Sequence, residues 1–491
     1  MTLCSPRRRR RALLVFPRLA PFLLFAGAVA AAAVCLAPPA ARAQTAPVPV
    51  AARRVSEFLA SIGANSAVSR RGETLAETAR AAGYLGLGWI RAGYESDIPV
   101  EDLIDLHRRT GVRFSYGLMS GGTDIARLLG GARKLAAAGA LVALEGPNEP
   151  NNWGVTYQGQ TGGGRAPSWM AVARLQRDLY RAVKSDPALK AYPVWSLSEN
   201  GAQKDNVGLQ FLTIPKGANC LMPDGTKFAD FANAHNYLYH PNAPGLEDNK
   251  AWNAADPTPA CKVDGLYGNY GLTWAKKFPG YSVKDLLTLP RVTTETGAAI
   301  GGAVTEEIHA RNLLSLYLAQ FTRGWSHTAV YLLRDRSDEA GNQQYGFYKP
   351  DYTPRKAALY LHNLTTVLAD RGGDGGGAAG ASATKRPAAK AAPGKLAYAI
   401  PGQPATVHDL LLQKGDGTFA LVVWGERVAG SDQVTVRLGG PPRPLARVYD
   451  PTVGTAPIRT VRDVSSLTLT LGDHPLVIEI PGPAAPARAP R

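Results

Sequence analysis

The chain has 491 residues, a formal net charge of +16 and a hydrophobic fraction of 45%. This length exceeds one ordinary domain. The basic residues form no lysine/arginine stripe interleaved with aromatic residues, which disfavours nucleic-acid binding. Seven arginines and no acidic residue lie in residues 1–43, so the rest of the chain carries a net charge of +9.

The N-terminus predicts an export signal. Arg7 to Arg11 form a basic region, an apolar stretch covers about residues 19–36, and Ala41-Arg42-Ala43 offers a small-residue cleavage site. A retained membrane anchor is the alternative, because the apolar stretch is nearly long enough to span a bilayer. Pro21, the alanine-rich composition and the cleavage site favour removal of residues 1–43. We therefore expect a secreted or periplasmic bacterial protein without stable membrane insertion.

Residues 44–370 predict an α/β fold, a (β/α)8 TIM barrel, because short apolar runs alternate with helical patterns. A doubly wound open sheet is the structural alternative, and the absence of a glycine-rich phosphate loop after the first strand disfavours it. The eight predicted strands are Ser61–Asn65, Leu87–Ala92, Phe114–Leu118, Ala140–Leu144, Val194–Leu197, Ala232–Tyr237, Arg291–Thr294 and Thr328–Leu332.

Two cysteines remain after the signal, Cys220 and Cys261. An even pair in an exported protein favours a disulfide over two thiols. The bond would close a loop of about 40 residues and contribute roughly 3–4 kcal/mol in the chain-entropy model. Neither cysteine belongs to a CxxC motif or accompanies paired histidines, so no metal site is predicted.

The C-terminal part predicts a second, smaller domain. Residues 371–395 are rich in Gly, Ala, Lys and Pro and predict a linker. Residues 396–482 predict an all-β sandwich with a hairpin turn at Lys414-Gly415-Asp416-Gly417, and residues 483–491 predict a disordered tail. The predicted strands are Val407–Gln413, Thr418–Trp424, Val434–Leu438, Leu445–Tyr449, Leu467–Leu471 and Leu476–Ile480.

Two glutamates carry the chemistry that the sequence suggests. Glu149 stands in Gly-Pro-Asn-Glu-Pro-Asn at 146–151, and Glu295 in Thr-Thr-Glu-Thr-Gly at 293–297. Both follow apolar runs, the fourth and seventh predicted strands, at the barrel face where catalytic groups lie. Two carboxylates suffice to cleave a glycosidic bond, one protonating the departing oxygen while the other attacks or assists at the sugar carbon. The alternative is a pair of salt-bridge residues at strand ends.

These segments resemble glycoside hydrolase clan A, the retaining (β/α)8 enzymes, and within it the bacterial family 39-like proteins. The resemblance runs from the barrel into the sandwich. It implies Glu149 as the acid/base and Glu295 as a nucleophile forming a covalent glycosyl-enzyme, with their carboxyls about 5–5.5 Å apart. No bound cofactor is implied, since two carboxylates and water suffice. The matching segments are Glu-Gly-Pro-Asn-Glu-Pro-Asn at 145–151, His-Asn-Tyr at 235–237, Thr-Glu-Thr-Gly at 294–297 and Leu-Leu-Leu-Gln-Lys-Gly-Asp-Gly-Thr-Phe at 410–419.

The same resemblance implies three substrate-binding residues beside the glutamates. Asn148 would hydrogen-bond the sugar 2-hydroxyl, a contact that strengthens in the transition state. His235 and Tyr237 would face the cleft, with Tyr237 a candidate to hold Glu295. Their structural alternatives are a hydrogen-bonded core histidine and a tyrosine that fills the barrel.

Further polar and aromatic residues lie near the predicted strand ends. Arg91 could order the nucleophile carboxylate, as arginines in that region of clan members do, or form a structural ion pair. Glu145 lies deeper on the strand before Glu149 and is interpreted as a charge that supports the catalytic residues from behind or lies on the barrel floor, rather than as a catalyst. Trp153 could stack on a sugar ring or pack beneath its loop. Clan members often have a tryptophan at the end of strand eight, whereas residues 331–335 contain none.

The sequence therefore predicts an exported retaining glycosidase that cleaves β-glycosidic bonds of a poly- or oligosaccharide by double displacement. An exo-acting β-xylosidase-like glycosidase and a non-catalytic carbohydrate-binding envelope protein are the alternatives. The intact Asn148, Glu149 and Glu295 argue against a binding protein, which needs none of them. Carbohydrate is the expected partner, and the oligomeric state is left open.

Overall fold

The computed structural model describes residues 46–93, 98–199, 211–218, 221–239, 246–258, 260–261, 280–338, 344–369 and 392–482. The predicted signal, most of the predicted linker, the C-terminal tail and Cys220 lie outside these ranges. The disulfide between Cys220 and Cys261 therefore stays a prediction. Among the described residues, no helix has both the length and the apolar character needed to cross a membrane.

Eight parallel strands form the barrel, so the predicted fold class is confirmed. Successive barrel strands pair in parallel except at one seam, and the last strand pairs with the first. A bridge between Trp195 and Phe231 joins the remaining two edges. Two short strands, β1 (Val48–Ala51) and β2 (Arg53–Arg54), precede the barrel. The barrel strands are β3 (Ile62–Asn65), β4 (Trp89–Ala92), β5 (Arg113–Gly117), β6 (Leu141–Glu145), β9 (Val194–Trp195), β10 (Ala232–His235), β11 (Arg291–Thr296) and β12 (Trp325–Val330), and a hairpin of β7 (Val155–Tyr157) and β8 (Gln160–Gly162) follows β6.

Helices cover the barrel, and their ends follow from the local sequence. The side chains of Thr74, Asp124 and Thr305 each accept a backbone N–H at a helix start, which satisfies a donor that the helix itself leaves open. Gly86 and Gly111 end two helices in the left-handed conformation that glycine adopts without strain. The helices are α1 (Val55–Ser61), α2 (Leu75–Leu85), α3 (Val100–Thr110), α4 (Ile125–Ala137), α5 (Met170–Ser185), α6 (Lys250–Ala254), α7 (Val283–Thr288), α8 (Glu306–Thr322) and α9 (Lys356–Leu368).

Two further sheets form the sandwich, one ordered β1-β13-β16-β19 and the other β18-β17-β20-β15-β14-β2. All six predicted strands are present. Inward side chains such as Leu421, Val436 and Ile478 form their own core between the sheets. The strands are β13 (Lys395–Ala399), β14 (Val407–Gln413), β15 (Phe419–Gly425), β16 (Asp432–Leu438), β17 (Arg443–Tyr449), β18 (Pro457–Val464), β19 (Ser466–Leu471) and β20 (Pro475–Ile480).

The first strands of the chain differ from the prediction. Residues from 44 onward were expected in the barrel, yet β1 pairs antiparallel with β13, and β2 pairs parallel with β14. This N-terminal segment therefore belongs to the sandwich sheets. Only four and two residues long, these strands are too short to show a periodic pattern, and backbone hydrogen bonds define their pairing.

The sandwich packs directly on the barrel. Glu426 accepts hydrogen bonds from the Trp252 backbone N–H at 3.0 Å and from the Trp424 indole N–H at 2.9 Å. Lys414 Nζ donates to the Val367 carbonyl at 2.7 Å, at the end of α9. Leu410, Leu412 and other residues of one sandwich face share a single apolar cluster with the barrel. The sandwich thus packs on helices of the barrel and on the segment that follows β10.

Candidate active site

The two predicted catalytic glutamates lie together at the carboxyl end of the barrel. Glu149 follows β6 and is 8% exposed, while Glu295 lies in β11 and is 7% exposed. One carboxylate oxygen of each and a ring nitrogen of His235, at the end of β10, all lie within 4.8 Å of one another. The strand order therefore gathers three titratable groups that are far apart in the sequence.

A glycine permits the chain to turn from β6 toward Glu149. A Cβ on Gly146 would lie 1.8 Å from Gln176 Oε1 and 2.7 Å from the Leu197 backbone nitrogen, so a side chain has no room there. Three residues later Glu149 itself has φ +37°, in the left-handed region that side chains rarely adopt. Such backbone strain costs on the order of 1–3 kcal/mol and is concentrated at functional sites.

Glu295 is held by two donors. Arg91 Nη1 donates to Oε1 at 2.5 Å, and the Tyr237 hydroxyl donates to Oε2 at 2.9 Å. Burial raises the pKa of the Glu295 carboxyl above its ordinary value, while His235, Arg91 and the Tyr237 hydroxyl act to lower it. Burial also raises the pKa of Tyr237 well above 10, so this phenol remains a donor over the whole useful pH range. These donors favour the ionised form that a nucleophile needs.

Arg91 links most of the site through one guanidinium that is 1% exposed. Besides Glu295, it contacts Glu145, to which Nε donates at 3.1 and 3.0 Å and Nη2 donates at 2.8 Å. Nη2 also donates to Asn148 Oδ1 at 2.7 Å, and Nη1 donates to Asn65 Oδ1 at 3.3 Å. Arg91 is thus both the structural ion pair and the contact to the predicted nucleophile that the sequence presented as alternatives.

Glu149 contacts a histidine and an asparagine. His235 Nδ1 lies 2.6 Å from Oε1, and Asn152 Nδ2 donates to Oε2 at 2.8 Å. Burial lowers the pKa of His235 to about 4, so the ring is neutral near pH 7 and the contact is a hydrogen bond between neutral partners or to a carboxylate. Asn148 Nδ2 donates to Ser120 Oγ at 3.0 Å, which fixes the amide beside Glu149.

A tyrosine, Tyr331, lies at the end of the eighth strand, where related enzymes often have a tryptophan. Tyr331 directly follows β12, and its ring packs edge-on against Tyr237 and Tyr345, with centroids 6.5 and 5.8 Å apart. Its partly exposed ring occupies the strand-eight end.

Trp153 is 54% exposed, and its backbone N–H donates to the Glu149 carbonyl at 2.8 Å. An exposed indole beside the candidate acid is suited to stacking on a sugar ring.

The structure brings six of the predicted residues into one hydrogen-bonded network and leaves Trp153 exposed next to it. The six are Arg91, Asn148, Glu149, His235, Tyr237 and Glu295. Their chemical roles stay predictions. Sequence reasoning missed four buried or half-buried members, each of them a polar residue within a barrel strand or in the loop after one: Asn65, Asn152, Asn233 and Thr294.

Glu149, His235 and Glu295 are also the three groups whose atoms are close enough to ligate a metal ion. The Arg91 guanidinium at 2.5 Å already supplies a positive charge to Glu295. A divalent ion there would have to compete with that cation in a buried site. The donor set therefore suits acid–base and nucleophilic chemistry better than metal binding.

The fold and the site together are a parallel barrel with two buried carboxylates at the carboxyl ends of its strands. Comparison with solved structures shows which known proteins share this fold. One similar structure is a family 39 glycoside hydrolase from the gut symbiont Bacteroides cellulosilyticus WH2, with 15% identity, a TM-score of 0.50, and coverage of 87% of this chain and 82% of that one. Another is CelM2, a bifunctional glucanase-xylanase from a metagenome library, with 12% identity, a TM-score of 0.53, and coverage of 89% and 97%. No protein-family model matches the chain, and no curated protein does. The chain shares the barrel-plus-sandwich fold of these glycosidases.

Tyr237→Phe tests the electrostatic support of Glu295. Removing the hydroxyl donor raises the pKa of Glu295 further, so the acidic limb of the kcat/KM profile moves to higher pH. We expect kcat/KM at neutral pH to fall about tenfold, because a hydrogen bond to a charged group contributes about 1.5–3 kcal/mol. The control is Tyr360→Phe, whose hydroxyl donates to Glu307 between two helices. An unmoved acidic limb in Tyr237→Phe would contradict the expectation that the Tyr237 hydroxyl stabilises ionised Glu295.

Proposed function

We propose that this chain is an exported retaining glycoside hydrolase that cleaves β-glycosidic bonds of a poly- or oligosaccharide. The observation that carries the proposal is the approach of Glu149 and Glu295 oxygens to within 4.8 Å. Retaining enzymes hold their carboxyls about 5–5.5 Å apart, whereas inverting enzymes need about 6.5–9.5 Å to admit a water between them. The observed approach favours direct attack by a carboxylate.

In the first step, Glu295 attacks the anomeric carbon with a carboxylate electron pair while Glu149 gives its proton to the departing glycosidic oxygen. The bond between that carbon and oxygen breaks, and an ester bond to Glu295 forms. Arg91 and Tyr237 act on Glu295 throughout, because both donate to its carboxylate. They stabilise the ionised nucleophile and the carboxylate that returns as leaving group.

In the second step, Glu149 acts as a base. It takes a proton from a water that attacks the anomeric carbon, and the ester bond to Glu295 breaks. The net reaction consumes one water and cleaves one glycosidic bond with retention of configuration. Asn148 lies where an amide could contact the substrate beside Glu149, and it is fixed by Arg91 and Ser120.

The substrate class and the location are parts of the same proposal. The two similar structures are a family 39 glycoside hydrolase and a glucanase-xylanase, which makes glucans and xylans the first substrates to test. The exposed indole of Trp153 beside Glu149 favours a substrate that extends past the cleaved bond. The basic, apolar and small-residue regions of residues 1–43 support export.

Reducing-sugar release by the mature protein across plant and bacterial glycans tests the function. We expect release from at least one β-linked glycan, with the product anomer retained in a first-turnover NMR spectrum. An inverted anomer would exclude double displacement. Binding of a glycan without any release would favour the non-catalytic carbohydrate-binding protein, and release of single terminal sugars only would favour the exo-acting alternative.

A further inference from the structure

The Thr294 hydroxyl, one residue before Glu295, is surrounded by three polar atoms. Its Oγ1 lies 2.7 Å from Glu145 Oε1, 3.1 Å from Asn233 Oδ1 and 3.1 Å from His235 Nε2. All four side chains are buried inside the barrel. Because a hydroxyl carries one hydrogen, it can donate to one of these atoms and must accept from any donor among the rest.

Two of the three neighbours are acceptors. Glu145 forms a buried ion pair with Arg91, so its carboxylate offers lone pairs and no proton. The Asn233 amide nitrogen donates to Glu145 Oε1 at 3.2 Å and to the Ser196 carbonyl at 3.1 Å, so the amide oxygen faces Thr294. The hydroxyl hydrogen therefore points to Glu145, its closest acceptor, and the lone pairs of Oγ1 are left for His235.

This arrangement assigns the ring protons of His235. Nε2 must donate to Thr294 Oγ1, and a neutral imidazole carries only that one N–H. Nδ1 is then an acceptor, and its neighbour at 2.6 Å is Glu149 Oε1. Two acceptors cannot share a contact of that length without a hydrogen, so the hydrogen belongs to the Glu149 carboxyl.

We propose that Thr294, oriented by Glu145 and Asn233, is a positioning residue that fixes His235 as the Nε2–H tautomer and thereby keeps Glu149 protonated. The tautomer follows from the contacts of Thr294 together with the neutrality of the buried ring, whereas its catalytic meaning rests on the proposed function. With the lone pair of Nδ1 facing it, an ionised Glu149 is disfavoured, so the carboxyl holds the proton that the departing oxygen requires. After losing that proton, Glu149 is disposed to take one from the attacking water.

Four charged or titratable groups lie around the His235 ring, three on barrel strands and one in a loop. Arg91 in β4 opposes a positive ring, while Glu145 in β6 and Glu295 in β11 favour it, and burial outweighs all of them and keeps the ring neutral. Glu149, in the loop after β6, makes the closest contact to Nδ1, at 2.6 Å, and Glu295 Oε2 lies 3.5 Å from the same nitrogen. The backbone N–H of His235 donates to the Glu199 carbonyl, and the Tyr237 phenol lies two residues along the chain.

Nitrogen NMR of the mature protein with ¹⁵N-labelled histidine tests the tautomer directly at pH 7. The His235 ring signals are identified as those missing in His235→Gln. We expect the wild type to show a protonated Nε2 and an unprotonated Nδ1. Thr294→Val removes the acceptor at nearly constant shape and shifts the ring toward Nδ1–H, whereas Thr294→Ser keeps the wild-type pattern. A protonated Nδ1 in the wild type overturns the proposal, even if no variant folds.

The pH profile of glycan cleavage separates positioning from mere stability. In Thr294→Val, an Nδ1–H group would stabilise ionised Glu149, so the basic limb of kcat/KM moves to lower pH and activity on that limb falls about tenfold. Thr294→Ser restores the wild-type limb. An equal loss at every pH, with the limb unmoved, overturns the positioning role. If the wild type cleaves no glycan, the proposed function fails, while the NMR result still decides the tautomer.

Discussion

Replacing Glu295 by glutamine lowers kcat on a natural glycan about 10⁴-fold or more, equivalent to about 5.5 kcal/mol of transition-state stabilisation. The amide retains the shape and the contact to Tyr237 but has no carboxylate electron pair to form the glycosyl-enzyme bond. Folding is retained if thermal unfolding stays cooperative. The measurement is steady-state release of reducing sugar, beside a binding titration with the same glycan.

Glu149→Ala gives a different result, which distinguishes the two glutamates. Its rate falls by a comparable factor on natural glycosides but much less on a dinitrophenyl glycoside, because that leaving group departs without a proton. Added azide attacks the accumulated glycosyl-enzyme and gives a glycosyl azide of retained configuration. In Glu295→Ala, azide instead attacks the anomeric carbon of the substrate in a single displacement and gives a glycosyl azide of inverted configuration. If Glu149→Ala gave the inverted azide and Glu295→Ala the retained one, Glu149 would be the nucleophile and Glu295 the acid/base.

Glu57→Gln is the matched control for both glutamates. Glu57 lies in α1 with a side chain that is 56% exposed and pairs only weakly with Arg54, at 3.7 Å. The substitution removes the same charge outside the site, so kcat and KM stay unchanged. A Glu295→Gln variant that keeps more than a tenth of the wild-type rate would contradict the nucleophile assignment.

The barrel and both glutamates could be predicted because the relevant signals are local. Strands such as β6 are short apolar runs, and a glutamate at the end of a strand needs no knowledge of neighbouring strands. The sandwich strands that alternate inward and outward residues, such as β16 and β19, were predicted for the same reason. β18 was missed because all of its residues but one lie exposed or half-exposed, so the strand shows no alternation.

The network beneath the glutamates could not be predicted, because it depends on register between strands distant in the sequence. Asn65 Nδ2 donates to the Thr294 carbonyl at 2.9 Å across 229 residues. Glu145 was interpreted as a supporting or barrel-floor charge, which is compatible with its contacts, yet its link to His235 through Thr294 follows only from where β6, β10 and β11 meet. The position of Tyr331 at the end of the eighth strand, against Tyr237 and Tyr345, likewise depends on how the barrel closes.

Arg91→Met is expected to lower both stability and activity, because it leaves the buried carboxylates Glu145 and Glu295 without their common cation. Breaking a buried pair by removing one partner costs about 3–5 kcal/mol. The loss of the cation also raises the pKa of Glu295, so less of the nucleophile is ionised and kcat/KM falls most on the acidic side. Urea unfolding and the pH profile of glycan cleavage measure the two effects.

A second substitution separates these effects. In Arg91→Met/Glu145→Gln one of the two uncompensated charges is gone, so much of the unfolding free energy returns, while Glu295 still lacks its donor and activity stays low. Arg109→Met is the control, since its pair with Asp105 is exposed and worth about 1 kcal/mol or less. If the double variant regained activity together with stability, Arg91 would serve the fold alone. Persistent inactivity in a restored fold, beside an active Glu145→Gln single variant, would instead mean that the guanidinium acts on Glu295.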